Sequence, residues 1–263
     1  MSPDPLVVAV LGLGEAGSAI AAGLSAAGAV VRGFDPRVPA GPGVTGCAGD
    51  ADACRGAALV ISLVTAEEAE DALRMALPGL AGSTIYADAN TSAAGLKQRL
   101  AATAGQAGIT FADVAIMAPV PGRGVSVPML VSGPGADGTS AILAACGGQA
   151  EVVAGPPGTA ATRKLLRSVF YKGMAAAAVE ALAAARAAGS EDWLREHLAA
   201  ELAAADAATL SRLEDGSYRH ARRRVQEMAA ASAMLAELGV PARVARASEQ
   251  WLADLAARRQ EGR

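Results

Sequence analysis

A β-branched apolar run, Leu6-Val7-Val8-Ala9-Val10-Leu11, stops at Gly12 and passes into Gly12-Leu13-Gly14-Glu15-Ala16-Gly17. This order constrains the chain more than any other feature. The run suits a buried strand. Residues 16–27 read as a helix, and residues 29–34 as a second strand ending at Asp35. Strand, glycine turn, helix, strand is a βαβ unit with parallel strands. Gly12 permits the tight turn, Gly14 lets a ligand approach the backbone, and Gly17 lets the helix pack on the strand.

The alternation continues. Strands are predicted at 59–64, 84–88 and 109–116, with helices at 66–77, 93–104 and 136–145 and two closing strands at 128–132 and 150–154. Continuous apolar strands separated by helices predict a parallel sheet covered on both faces. After Gly155-Pro156-Pro157-Gly158 no strand signal remains. Helices are expected at about 159–188, 190–204, 206–213, 217–238 and 242–259, with Gly189, Gly216 and Gly239-Val240-Pro241 as stops. The expected fold class is α/β: a Rossmann-type doubly wound domain over 1–155, then an all-helical substrate and dimerisation domain over 156–263, built on a long interdomain helix.

Composition removes several function classes. The net charge of −3 supplies no field for nucleic acid. Mean hydropathy is +0.30, yet the longest uncharged stretch, 16–31, is short of a membrane span. Met1-Ser2-Pro3-Asp4-Pro5 lacks the positive charge of a secretion signal, so a cytoplasmic location is expected. Cys47, Cys54 and Cys146 show no paired spacing and read as reduced thiols. His197 and His220 show no ligand spacing, so no metal site is expected.

A helix N-terminus that opens on this glycine pattern presents unpaired N–H groups to a phosphate. Asp35 stands 18 residues after Gly17, where a carboxylate accepts hydrogen bonds from the adenosine ribose of NAD. Arg37 could instead bind the 2′-phosphate of NADP. NAD is expected, with NADP the alternative. The candidate cofactor contacts are Gly12, Leu13, Gly14, Glu15, Ala16, Gly17, Asp35 and Arg37, with Val64, Thr65, Asp88, Asn90 and Thr91 at predicted strand ends, where ligands lie in such sheets. Helix capping after the strand is the competing role for Thr91 or Ser92.

The order of motifs resembles the β-hydroxyacid dehydrogenase superfamily, which includes 3-hydroxyisobutyrate and 6-phosphogluconate dehydrogenases. Residues 8–17 match its V-x-x-x-G-x-G-x-x-G. Asp113-Val114-Ala115-Ile116-Met117-Ala118-Pro119 stands where the family has D-A-P-V-S-G-G, which implies substrate contacts from Met117 and Pro119. Gly155, Gly158 and Lys164 fall in register with G-x-x-G-x-G-x-x-x-K-x-x-N, with Ala160 and Arg167 replacing the third Gly and the Asn. The resemblance makes Lys164 the catalytic lysine and places Asn90 and Thr91 at the ribose and nicotinamide half. Residues 163–173, and Arg222-Arg223-Arg224 with Glu227-Met228, resemble a subgroup of 6-phosphogluconate dehydrogenase-like proteins with a distinctive C-terminal domain.

The residues around Lys164 agree with that assignment. Only three of the 23 basic residues are lysines: Lys97, Lys164 and Lys172. Lys97 is expected on a surface helix. With Lys164 at zero on a helical wheel, Arg167, Ser168, Tyr171 and Lys172 fall at about −60°, +40°, −20° and +80°. This polar stripe ends in Ala175, Ala178 and Leu182, and is read as facing a cleft between the domains. A lysine is an acid/base near neutrality if its pKa falls from about 10.4 towards 7–8. Arg163, Arg167 and partial burial push in that direction. Arg167 can grip a carboxylate, so a small anionic substrate is expected, with Ser168 and Tyr171 beside it. Arg222–Arg224 and His220 are weaker candidates, each equally readable as exposed surface.

The expected activity is hydride transfer between a nicotinamide and a small hydroxy or oxo acid, on the CH–OH group. Two alternatives stand beside it. An imine reductase shares the scaffold, although members of that branch usually lack the lysine. A non-catalytic dinucleotide sensor is the other. The alanine-rich helical half predicts a homodimer.

Overall fold

The computed structural model describes residues 5–261. Residues 1–4, most of the segment weighed above as a secretion signal, lie outside it. Eight strands form one sheet in the order β3-β2-β1-β4-β5-β6-β7-β8. They are β1 (Val7–Leu11), β2 (Val30–Phe34), β3 (Val44–Gly46), β4 (Leu59–Ser62), β5 (Ile85–Asp88), β6 (Thr110–Ile116), β7 (Pro128–Ser132) and β8 (Gln149–Val152). The helices of this part are α1 (Glu15–Ala26), α2 (Asp50–Cys54), α3 (Ala69–Ala76), α4 (Ala94–Gln106) and α5 (Ala136–Ala145).

Alternate residues of β1 feed opposite cores, as the pleat requires. Val8 and Val10 join Ile20 and Leu24 of α1 and Leu143 of α5 on one face. Ala9 and Leu11 join Cys54 of α2, Leu73 of α3 and Leu100 of α4 on the other. With aromatics at only 3%, aliphatic and alanine side chains fill most of these layers, and Tyr86 and Phe111 stack in the second.

Two expectations need correction here. The sheet is not wholly parallel, since β7 runs antiparallel to β6, with Asp113 opposite Ser132. The connection between them holds only a short 3-10 turn, Gly124–Ser126, and without a crossover helix the chain must reverse. Between β2 and β4 the chain also forms β3 and α2. These were not foreseen, because elements of three and five residues carry no readable period.

The helical part contains α6 (Thr159–Ala187), α7 (Glu191–Ala203), α8 (Ala207–Arg219), α9 (Ala221–Glu237) and α10 (Arg243–Glu261). The chain divides into compact units at Arg167/Ser168, inside α6, while the boundary expected at 155/156 falls just before that helix. Hydrogen bonds described below fasten the first turns of α6 to the sheet. Gly216 is not the helix stop anticipated: it lies within α8, and the break falls at His220. Its missing side chain makes room instead, because a Cβ there would sit 2.8 Å from the Arg224 guanidinium.

In the second unit, Glu180 of α6 caps α10. Its carboxylate accepts the N–H groups of Arg243 (2.6 Å), Val244 (2.8 Å) and Ala245 (2.8 Å). Burial pushes this carboxyl up, but those three amides and the Arg243 charge outweigh it and hold it below the usual range. A small core of Ala184, Leu235, Ala242 and Ala245 packs beside the cap. Among the described residues, no helix is long and apolar enough to cross a membrane.

Candidate active site

The glycine loop occupies the point where the strand order turns back, between β1 and β4. Gly12 has φ +87°, and a Cβ on it would meet the Leu63 carbonyl oxygen at 2.5 Å. A Cβ on Gly17 would meet the Gly12 carbonyl oxygen at 1.9 Å. Gly14 has no atom within 4 Å of its Cβ position, and α1 begins there without a side-chain cap. The loop therefore leaves an open cradle at the helix N-terminus, beside Glu15, Ala16 and Gly17. These properties fit a pyrophosphate.

A cavity of about 340 Å³ adjoins the loop, lined among others by Gly12, Gly14, Asp35, Arg37, Val64 and Thr65. Six of the sequence-derived cofactor residues thus meet in one place. Leu13 is buried beneath the loop. Asp35 already carries structural hydrogen bonds: Oδ2 accepts the Leu13 N–H at 2.8 Å, and Oδ1 accepts those of Arg37 (2.8 Å) and Val38 (3.0 Å). Burial raises the Asp35 carboxyl, but these three amides and the Arg37 guanidinium prevail, so it stays below the usual range. Asp35 ties the glycine loop to the end of β2 and keeps lone pairs for a ribose. Arg37 does not point alone into the cavity: its guanidinium pairs with Glu68 at 3.1 Å.

The second part of the site lies at β5, β6 and the start of α6. Asp88 and Asp113 are register partners on adjacent strands, and Ser132 is opposite Asp113. Lys97 is fully buried rather than on the surface. Its ammonium donates to the Asp88 carboxylate and, at 2.8 Å, to the Asp88 backbone carbonyl. It also lies 3.3 Å from Asp113 Oδ1, an ion pair without hydrogen-bond alignment. Two buried carboxylates share one ammonium, so burial and the neighbouring Asp113 charge push Asp88 above its ordinary value against the pull of Lys97 and Asn90.

This cluster reaches the candidate catalytic residues on both sides. Asp113 Oδ2 accepts N–H groups from Gly158 (2.9 Å) and Ala161 (3.1 Å), and the Ser132 hydroxyl accepts that of Ala160 (3.0 Å). The first turn of α6 is thereby fixed on the sheet by an anion, which also suits its dipole. On the other side, Asp88 Oδ2 accepts from Asn90 Nδ2 at 2.6 Å. Asn90 is buried, and its Oδ1 has no protein partner, which fits a donor on a bound nicotinamide riboside. Neither Thr91 nor Ser92 caps α4, whose N-cap is Ala93. The Thr91 hydroxyl instead accepts a 2.7 Å hydrogen bond from Lys164 Nζ, spanning 73 residues of chain.

The remaining candidates lie on the loop that follows β6, on α6, and on α9 with His220 at its start. Met117 packs under α6 with Ala115, Val153 and Ala160, and Pro119 is exposed. Arg167 is exposed one turn beyond Lys164. Ser168 and Tyr171 belong to the second unit, where Tyr171 stacks edge-on against Phe170. Arg223 pairs with Glu227 on α9, Arg224 donates to Ser217, and His220 is exposed. Lys97 and Glu68 escaped the sequence reading. Charges inside the apolar strands 85–88 and 110–116 were the available signal for Lys97, because a buried carboxylate demands a partner. Thr65-x-x-Glu68, a capping pattern, was the signal for Glu68.

Residues 7–153 match the family described as the NAD binding domain of 6-phosphogluconate dehydrogenase. Residues 185–255 match a domain of unknown function, DUF1932. No curated protein matches the sequence. Among solved structures, the conserved protein MTH1747 of unknown function, described as structurally similar to 3-hydroxyacid dehydrogenases, is 28% identical, with 98% of this chain and 100% of that chain covered and a TM-score of 0.59. An imine reductase from Myxococcus stipitatus in complex with NADP+ is 19% identical, with 95% and 94% covered and a TM-score of 0.80. Its V8 variant in complex with NAD+ is 19% identical, with 96% and 94% covered and a TM-score of 0.78. The two imine reductase matches share the fold. With more than half its length in the first match, this chain belongs to the family that carries the NAD-binding domain of 6-phosphogluconate dehydrogenase.

Proposed function

We propose that the protein is an NAD-dependent oxidoreductase that interconverts a small hydroxy acid and its oxo acid, with Lys164 as general acid/base. The observation that carries this reading is the Lys164–Thr91 hydrogen bond. It holds the amine at the carboxyl edge of the sheet, next to Asn90 and its unpaired buried oxygen. When bound, the nicotinamide supplies the hydride acceptor or donor.

The chain's own residues supply the rest. Lys164 Nζ takes the hydroxyl proton during oxidation and returns one to the carbonyl oxygen in reduction. Thr91 orients that amine, since its hydroxyl oxygen accepts a hydrogen bond from Lys164 Nζ. Arg167 lies one turn along α6, and the affinity of a guanidinium for carboxylates supports a small anionic substrate. A panel of hydroxy and oxo acids with NAD and NADP, followed by nicotinamide absorbance, tests the activity. Turnover of cyclic imines alone would favour the imine reductase reading, for which the shared fold is the support.

Asp35 underlies the choice of NAD. The native protein is expected to bind NAD at least several-fold more tightly than NADP. Asp35→Ala should narrow that gap and weaken both ligands, because the Leu13 N–H loses its acceptor. Calorimetry checks this, and tighter NADP binding by the native protein would refute it.

We also propose a homodimer through the second unit. Val179 (69%), Trp193 (65%), Leu210 (60%) and Trp251 (60%) are exposed there, large apolar side chains that a second copy would cover. Light scattering at micromolar concentration should give twice the 26.0 kDa chain mass; a single-chain mass would contradict it.

A further inference from the structure

The adenosine end of the cavity is acidic. Asp35, Asp50, Glu68 and Asp71 line it, Asp71 being paired with Arg74, and among the described lining residues the one guanidinium is that of Arg37. Arg37 sits two residues after Asp35, where it could receive a 2′-phosphate, yet its Nη2 is 3.1 Å from Glu68 Oε1 and 3.4 Å from Oε2. Glu68 comes from a different connection, between β4 and α3, and does not depend on Arg37 for its position. Its Oε2 accepts the Thr65 hydroxyl at 3.0 Å and the Thr65 N–H at 3.3 Å, while Thr65 Oγ1 accepts the Glu68 N–H at 3.3 Å. This reciprocal pair fixes the carboxylate before any ligand arrives. The Thr65 hydrogen bonds, followed after a small burial effect by the Arg37 charge, hold the Glu68 carboxyl below its usual range.

We infer that Glu68 is a specificity-determining residue: it holds the Arg37 guanidinium and so denies it to the 2′-phosphate of NADP. This rests on the reading that the cavity receives the adenosine ribose. A phosphate dianion entering here must displace a preset carboxylate from Arg37 and then lie beside Asp35 and Glu68. A 2′-hydroxyl meets neither penalty, since it can donate to Asp35. The pair is partly solvated, with Arg37 69% and Glu68 44% exposed, so the effect is that of one screened charge.

The test is a fluorescence titration with NADH and NADPH at low salt. It compares the native protein with Glu68→Gln, Arg37→Gln and the double variant. Gln at position 68 can still accept from Thr65, so the local turn is kept. Glu68→Gln should tighten NADPH about 3–30-fold and change NADH by less than about twofold. In the Arg37→Gln background the same change should yield less than about twofold, because no guanidinium is left to release. An NADPH/NADH ratio unchanged by Glu68→Gln overturns the role of Glu68. A full gain without Arg37 also overturns it, because Glu68 then acts by repulsion alone. Failure of the native protein to bind either nucleotide would instead overturn the underlying reading of the cavity, and the inference with it.

Discussion

Lys164→Ala is expected to leave folding and NAD affinity nearly intact while lowering turnover by about 10²–10⁴-fold, the contribution of a positioned acid/base. Lys164 is partly exposed and donates to the exposed Thr91 hydroxyl, so its removal opens no core cavity. Lys164→Arg should fail almost as badly: the charge remains, but a guanidinium does not release a proton near neutrality. Steady-state kinetics of both variants on the best substrate of the acid panel, with calorimetry of NAD binding, decide the matter. If Lys164→Arg keeps most of the turnover, the residue only holds an anion, and the proton moves by another group.

Lys97→Met should cost about 3–5 kcal/mol of stability, the penalty for leaving buried charge uncompensated. Two carboxylates, Asp88 and Asp113, would then face each other on adjacent strands without their cation. Asp113→Asn should cost less, because an amide oxygen can still accept the Gly158 and Ala161 N–H groups. Urea unfolding of the three proteins measures the order. A loss below about 1 kcal/mol for Lys97→Met would show that the cluster carries no buried charge. The cluster also lies between Asn90 and the first turn of α6, so its loss should disturb the two segments that carry Thr91 and Lys164.

The legibility of this fold follows from the range of the signals. The run 6–11, the glycine pattern at 12–17 and Asp35 are contiguous, and each acts on its near neighbours. Strand, turn and helix start were therefore readable from local steric demands, as was the later change to helices beyond Gly158. Gly216 shows where the same logic fails. A glycine in a helical stretch reads as a stop, but at this position it accommodates the Arg224 guanidinium arriving from α9, a fact of packing with no local trace.

The cofactor loop and the sheet with its helical layers were thus determined by the sequence, because short-range geometry defines them. Tertiary structure alone decided three other matters. Lys97 became a buried cation because β5 and β6 place Asp88 and Asp113 side by side beneath α4. Arg37 became a paired rather than a waiting guanidinium because Glu68, 31 residues away, is brought to the same cavity. Lys164 met Thr91 across 73 residues because Asp113 and Ser132 dock the first turn of α6 on the sheet. In each case the deciding energy is electrostatic and depends on distance in space, which the order of residues along the chain does not encode.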